Sequence, residues 1–342
     1  MQRVLTSVSH QEPDRVPLML LFSVTGAKFS DCSIENYFSD AERVAEAQIQ
    51  MQCRYRSDCY CSFYYAGAEL EAFGARSIFF EDGPPNAGAP IIRDLNDITT
   101  LKVPEIESVA VLQRILTTQR LLKAHARDSI PIIGVVMSPF SLPIMQMGFS
   151  AYIKLLYEQP EAFEKLMLIN QAFCLRWASA QIEAGATAIC YFDPASSTSM
   201  IPPDLYLKTG FKVAQQTLAK INAPIATHMA SGRCMKILPD IIKTGTAIVG
   251  ISIDEDLAEL KKISRHKVTL LGNLNAIEMR RWTISETEEK VKDAIAKAAV
   301  GGGFLLAENH GEVPWEVGDK VLMAIADAVE RWGHYPLAWV EA

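Results

Sequence analysis

The feature that most restricts the fold of this chain is one alternation repeated eight times, a short and largely apolar run followed by a longer amphipathic one. The apolar runs fall at residues 15–22, 58–64, 130–137, 187–192, 224–227, 248–253, 268–271 and 304–307. Their apolar character is nearly continuous, which suits strands of a parallel sheet covered on both faces. Helical stretches fill the gaps at 40–54, 108–125, 149–158, 161–184, 203–220, 235–243, 255–263, 285–299 and 315–332. Ser39-Asp40 is a natural cap for the first of these and Gly185 a natural stop for the long fourth one. The pattern predicts an α/β fold: a single (β/α)8 TIM-type barrel over residues 1–342, with the irregular stretches 81–85 and 90–97 forming an N-terminal excursion over its mouth.

Composition agrees with a soluble protein that has a substantial core, since 49% of residues are apolar and 21% charged. The 33 Lys+Arg against 40 Asp+Glu give a net charge of −7, and no Lys/Arg cluster is interleaved with aromatics. Neither nucleic acid nor an anionic membrane is therefore an expected partner. Residues 1–15 are polar, without the apolar centre of a signal peptide, and no later run is long enough to cross a bilayer, so a cytoplasmic location is expected. The seven cysteines read as reduced thiols. Cys53, Cys59 and Cys61 form the only local group, and their spacing matches small buried hydrophobes better than a zinc motif.

A barrel of this kind places its chemistry at the carboxyl ends of its strands. In A-P-I-A-T-H-M-A-S-G-R-C, residues 223–234, a buried strand ends at His228 before the Ser231-Gly232 turn leads into a helix. That imidazole can serve as a metal ligand, a proton carrier or a plain hydrogen-bonding group. Other strand ends supply Asp193, Asp254, Asn273 and the run Glu308-Asn309-His310. Asp193 before Pro194 can equally be a turn residue, and Asp254 the cap of the helix that follows. The run E-N-H-G-E-V-P, residues 308–314, packs two acids around His310. His10, His125, His266 and His334 lie in terminal, helical or basic contexts and are not expected to be catalytic. The aromatics Phe63, Tyr64, Tyr65, Phe140, Tyr191 and Phe192 stand near strand ends, where they can line a pocket or belong to the core.

Several longer motifs carry a family resemblance. G-A-T-A-I-C-Y-F-D-P-A-S-S-T-S-M-I-P-P-D (185–204), T-H-M-A-S-G (227–232), G-I-S-I-D (250–254), L-L-G-N-L (270–274) and G-G-G-F-L-L-A (301–307) resemble the uroporphyrinogen decarboxylase superfamily. R-V-P-L (15–18) and G-V-V-M-S-P-F (134–140) extend the likeness toward the amino end. Within the superfamily the chain is most similar to the corrinoid-dependent methyltransferases, such as the methylcobamide:coenzyme M methyltransferases. True decarboxylases carry an arginine-rich R-Q-A-G-R loop that grips an acidic porphyrinogen. Here S-V-T-G-A-K (23–28) stands in its place, so decarboxylation is not the expected activity.

The resemblance implies a methyl transfer between a small methylated substrate or a thiol and the cobalt of a corrinoid carried by a partner protein, with zinc as Lewis acid. Family members hold the zinc with a His-x-Cys pair and a later Cys. His228 matches the histidine, Ala230 stands at the first cysteine, and His310 falls near the second. The implied ligand set is then His228 and His310, completed by Cys234 or Glu308, with Asp254 or Glu312 as further candidates. His228, His310, Asp193 and Asp254 are the expected catalytic residues, and Asn273 and Tyr191 the expected cofactor contacts. Imidazole and carboxylate ligands would leave zinc a stronger Lewis acid than thiolates do, which favours polarising a methyl donor over activating a thiol. Cys234 in place of the missing cysteine would keep thiol chemistry open. A binding protein that has lost its chemistry is the reading that Ala230 itself suggests.

Overall fold

The computed structural model describes residues 1–340. Its centre is a curled sheet of seven parallel strands: β1 (Tyr60–Cys61), β4 (Ile132–Met137), β5 (Ala188–Phe192), β6 (Ile225–His228), β7 (Ile248–Gly250), β8 (Thr269–Leu274) and β9 (Phe304–Glu308), neighbours in that order. β2 (Ser77–Ile78) and β3 (Asn86–Ala87) form a separate antiparallel pair. Consecutive sheet strands are joined by helices, as parallel pairing requires. The side chains alternate accordingly. Ile133, Cys190, Ala226, Ile248, Leu271 and Leu305 fill the concave face, while Val136, Ile189, Tyr191, Val249, Leu270 and Phe304 pack outward against the helices. The amino-terminal helix Gln2–Val8 plugs the amino end, with Val4 in the concave cluster and Ser7 donating to the Phe304 carbonyl at 2.9 Å.

The expected first strand, residues 15–22, is not a regular strand. It makes one parallel bridge, Leu18 with Leu306. The Met19 amide donates to the Leu306 carbonyl at 2.8 Å, the Leu306 amide to the Pro17 carbonyl at 2.9 Å, and on the other side the Asp58 amide to the Leu18 carbonyl at 2.6 Å. Pro17 has no N–H to extend this ladder, which accounts for a pairing only a few residues long. The segment thus touches both β9 and the residue preceding Cys59.

Other boundaries shift for local reasons. Asp40 caps Ala41–Tyr55 by accepting from the Glu42 and Arg43 amides, as expected. Residues 203–220 split at Thr209 into Pro203–Lys208 and Gly210–Leu218. The helix expected from residue 255 begins at Leu257, and its cap is Asp256, which accepts from the Ala258 and Glu259 amides, not Asp254. The last helix is Asp319–Trp332, four residues shorter than expected at its start. Within the excursion, the Ile91 and Ile92 amides donate to the carbonyl of Gln146, on the helix Leu142–Met147 that follows β4.

Gly185 stops the long helix Pro160–Ala184 in a left-handed conformation, φ +119°. A Cβ there would lie 2.7 Å from Lys123 Cβ, an atom with little freedom to move. Gly185→Ala is expected to lower stability by about 1–3 kcal/mol through backbone strain and this clash, read as a lower urea midpoint with unchanged far-UV circular dichroism.

Candidate active site

His228 is the last residue of β6 and fully buried. The chain turns sharply after it, with Ala230 at φ +50°, and this turn points the Ala230 amide back at the ring, donating to His228 Nδ1 at 3.0 Å. The ring lies parallel to Phe192, 18° between planes and 5.5 Å between centroids, because His228 and Phe192 are register partners on β6 and β5. Nε2 has no hydrogen-bond partner. Burial, helped by the charge that His310 can carry, depresses the His228 pKa to about 4, so the ring is neutral at neutral pH.

β9 ends in Glu308, also fully buried; its carboxyl oxygens make no hydrogen bond of good geometry and have only weak contacts with the backbone, the Gly311 amide among them. Burial first, and then the neighbouring Glu312, push its pKa up to about 8. Its charge is felt by the concave-face thiols Cys59 and Cys190, which places the carboxyl above the interior of the sheet. Glu312 accepts from the Val24 amide at 3.3 Å, and burial of its carboxyl raises its pKa to about 7. His310 is exposed on the same rim, and its Nδ1 is hydrogen-bonded to the Ser231 hydroxyl. A methyl on Gly311 would stand 3.4 Å from His228 Cε1, so the β9 loop lies directly against the β6 histidine. His228 and His310 therefore stand on one rim, with Glu308 at the foot of the loop that carries His310.

The remaining expected residues fall elsewhere. Asp193 is buried just after β5, and its Oδ1 accepts from the Ser138 and Ser141 hydroxyls at 2.5 and 2.7 Å. Its backbone amide donates to the His228 carbonyl, so it ties two strand ends together with its carboxylate already engaged. Burial raises its pKa against those hydroxyl bonds. Asp254 is exposed, because β7 stops at Gly250 and the apolar residues after it already belong to the loop. Tyr191 points into the outer layer, one position out of phase with the concave face, and it is Phe192 that meets His228. Asn273 is buried at the end of β8, its amide 3.4 Å from the Ser252 carbonyl. Cys234 is buried in the outer layer, its thiol pushed far up by burial and Glu255.

These donors do not fit a zinc ion. Among the described residues, no three His, Cys, Asp or Glu side chains are gathered as a metal shell requires. The bonding of His228 agrees: with Nδ1 accepting from the Ala230 N–H, the neutral ring carries its proton on Nε2 and has no lone pair there for a metal.

The sequence places Phe192 only among the aromatics able to line a pocket, gives Ser231 no part beyond its turn, and does not show Glu308 and Glu312 as a pair of buried acids. For Phe192 the signal was present, since it is two positions from Cys190 and shares its strand face. For the acids it was not, because their protonation depends on burial.

A curled parallel sheet with an imidazole and carboxyl groups at its strand ends defines an α/β protein of the TIM-barrel-like class. The profile of the uroporphyrinogen decarboxylase (URO-D) family matches residues 1–332, and the chain belongs to that family. The uroporphyrinogen decarboxylase of Cupriavidus necator is 24% identical over 303 residues, covering 84% of this chain and 82% of that protein. That of Chlorobium limicola is 28% identical over 242 residues, 66% of each chain. Among solved structures, a methyltransferase from Methanosarcina mazei superposes with a TM-score of 0.85 at 18% identity, over 96% of this chain and 97% of the other. A B12-independent methionine synthase from Shewanella sp. W3-18-1 gives 0.54 at 15% identity over 85% of this chain and 88% of that one. No helix among the described residues is long and apolar enough to cross a membrane.

Proposed function

We propose that this protein is an enzyme that moves a methyl group from a small methylated substrate to a corrinoid carried by a partner protein, using acid catalysis by its own side chains. The observation that carries the reading is Glu308: a carboxyl group at a strand end, wholly buried, with no side-chain partner and with its pKa pushed up to about 8 against weak backbone contacts. Such a group is suited to giving a proton to an oxygen or nitrogen that leaves as its bond to the methyl carbon breaks. His228 presents Nε2–H from the end of β6, a neutral donor suited to orienting a leaving atom at the same rim. Glu312, whose charge reaches Glu308, is the neighbouring acid through which that proton could be returned. A bound corrinoid would supply the reduced cobalt nucleophile that takes the methyl carbon. The strand-end thiols are poor substitutes for it, since Cys59, Cys61, Cys190 and Cys234 are all buried with their pKa values raised. In the same reading, residues 17–19 complete the sheet as the eighth stave of a barrel between β9 and β1.

Decarboxylation of a porphyrinogen, the activity named for the sequence relatives, is the weaker reading. The turn Val24–Phe29, where decarboxylases carry arginines, is here mostly buried. Its one cation, Lys28, is bonded to the Trp315 carbonyl and lies 4.6 Å from the centroid of the Trp315 ring. A substrate with many carboxylates needs unengaged positive charge.

The test is to mix the protein with a reduced corrinoid protein and methoxybenzene, trimethylamine or methanethiol in turn, and to follow the corrinoid absorbance. Methylation of the corrinoid from an oxygen or nitrogen donor is the expected result. Release of carbon dioxide from uroporphyrinogen, with no corrinoid methylation from any donor, would overturn the reading.

A further inference from the structure

At the end of β8 the chain borders a cavity of about 380 Å³, lined by Ile253 from the loop after β7, by the last residues of β8 and the turn that follows them, and by the helix Ile284–Ala298. This is within the size range of sites that hold a small organic molecule. Ile253, Leu274 and the half-buried indole of Trp282 supply apolar surface. Asn273 lines the cavity from the strand end although its residue surface is only 5% exposed. The one hydrogen bond of its carboxamide is a long 3.4 Å, from Nδ2 to the Ser252 carbonyl, so among the described residues Oδ1 has no donor. Such a group calls for a polar partner from the cavity side. Ser252 Oγ in turn donates to the Ser231 carbonyl at 2.8 Å, and the Ser231 hydroxyl is bonded to His310, so the cavity lies at the same end of the sheet as His310.

Charged side chains complete the lining, and what each is bonded to sets the polarity. Asp293 is paired with Lys297 at 2.6 Å, and Glu286 is held at 2.8 Å by the amide and hydroxyl of Thr283 as part of the helix cap. Arg281, Lys290 and Glu278 also line the cavity and form no ion pair among the described residues, unlike Arg280, which meets Glu316. The unengaged groups are thus two cations and one acid, an excess of one positive charge. We infer that this cavity is a binding site for a small monoanionic aromatic carboxylate, its ring against Trp282 and its carboxylate on Arg281 and Lys290, with Asn273 as a further polar contact. A guanidinium fork matches the two oxygens of a carboxylate, and a flat ring packs well on an indole. A dianion such as a phosphate ester carries more negative charge than the two cations balance beside Glu278, and a cation meets Arg281 and Lys290 as like charges.

The site stands on the cavity and its charges, does not depend on the transfer chemistry proposed for Glu308, and is tested without reading turnover. In full-length protein labelled with 15N-tryptophan, the Trp282 indole signal is assigned by its loss in Trp282→Phe. Benzoate is expected to shift that signal saturably and to leave the signal of the buried Trp177 in place; no saturable shift of the Trp282 signal across the millimolar range overturns the site. By calorimetry, benzamide, which has the same shape without the charge, is expected to bind about tenfold more weakly or worse, and equal binding overturns the recognition of charge. Phenyl phosphate or benzylamine binding more tightly than benzoate overturns the ligand class. Arg281→Gln changes an exposed side chain and is expected to weaken benzoate binding about tenfold with far-UV circular dichroism unchanged. Full affinity in that variant overturns the role given to the guanidinium. The calorimetric comparison of the probes uses the wild-type protein, so it decides the ligand class even where a variant fails to fold.

Discussion

Glu308→Gln is expected to reduce corrinoid methylation about 10²- to 10⁴-fold, the usual contribution of a positioned general acid, while leaving the fold intact. The amide has the size of the protonated carboxyl that it replaces but has no transferable proton. The same substitution has a signature in stability. Glu308 has its folded-state pKa raised from 4.5 to about 8 by burial and by Glu312. Below pH 4.5 folded and unfolded chains both hold the proton, and the contribution to stability is fully present. Between 4.5 and 8 the unfolded chain releases the proton while the folded one keeps it, so stability is lost as pH rises through that window. Wild-type protein is thus expected to unfold at lower urea as pH climbs from 4.5 to 8, and Glu308→Gln to flatten the slope. At pH 8 the variant should be the more stable protein, by something on the order of 2–4 kcal/mol. Activity should also fall as the acid deprotonates near pH 8. Matching pH–stability curves for the two proteins would show that Glu308 is not held protonated, and the proposed chemistry would lose its acid.

The second large effect concerns what joins residues 15–22 to the sheet. Asp58 accepts from Arg15 Nη1 at 2.8 Å, from the Leu18 amide at 2.8 Å and from Arg3. The side chains of Arg15 and Asp58 are 5% and 11% exposed, so the pair operates largely out of water. Removing one partner of a buried pair leaves the other charge uncompensated, which costs more than the pair contributed. Asp58→Ala is expected to destabilise by about 3–5 kcal/mol, a large share of the 5–15 kcal/mol typical of a folded domain. Glu330, 2.9 Å from Arg15 Nε, softens the loss toward the lower figure. Asp58→Asn keeps an oxygen for the Leu18 amide and should cost less. Urea denaturation of the three proteins tests this, and equal midpoints for wild type and Asp58→Ala would mean that the segment is held by its apolar residues alone.

Much of the molecule was legible in the residues. The apolar runs 130–137, 187–192, 224–227 and 304–307 are strands because each is short, continuous and followed by a periodic helix, and the last two extend one residue further to His228 and Glu308. Residues 15–22 read just as well as a strand, but Pro17 lacks the N–H that a longer ladder needs, and one bridge to Leu306 remains. The run 248–253 misled about Asp254, because apolar residues continue past the point where pairing stops at Gly250. Tyr191 was one residue out of phase. Which face a strand buries inward is decided by register with its neighbours, here the pairing of Phe192 with His228.

The amino-acid sequence by itself determined the alternation of strand and helix and the polar residues at the strand ends, since both follow from hydrophobic periodicity and local caps and breaks. Only the tertiary structure decided what those polar groups are. It gave His228 its Ala230 partner and hence its tautomer, kept Cys234 and Tyr191 away from it, and buried Glu308 beside Glu312. Proton positions and charge states depend on solvent exclusion and on neighbours distant along the chain, and these exist only once the sheet has curled and its strand ends have met.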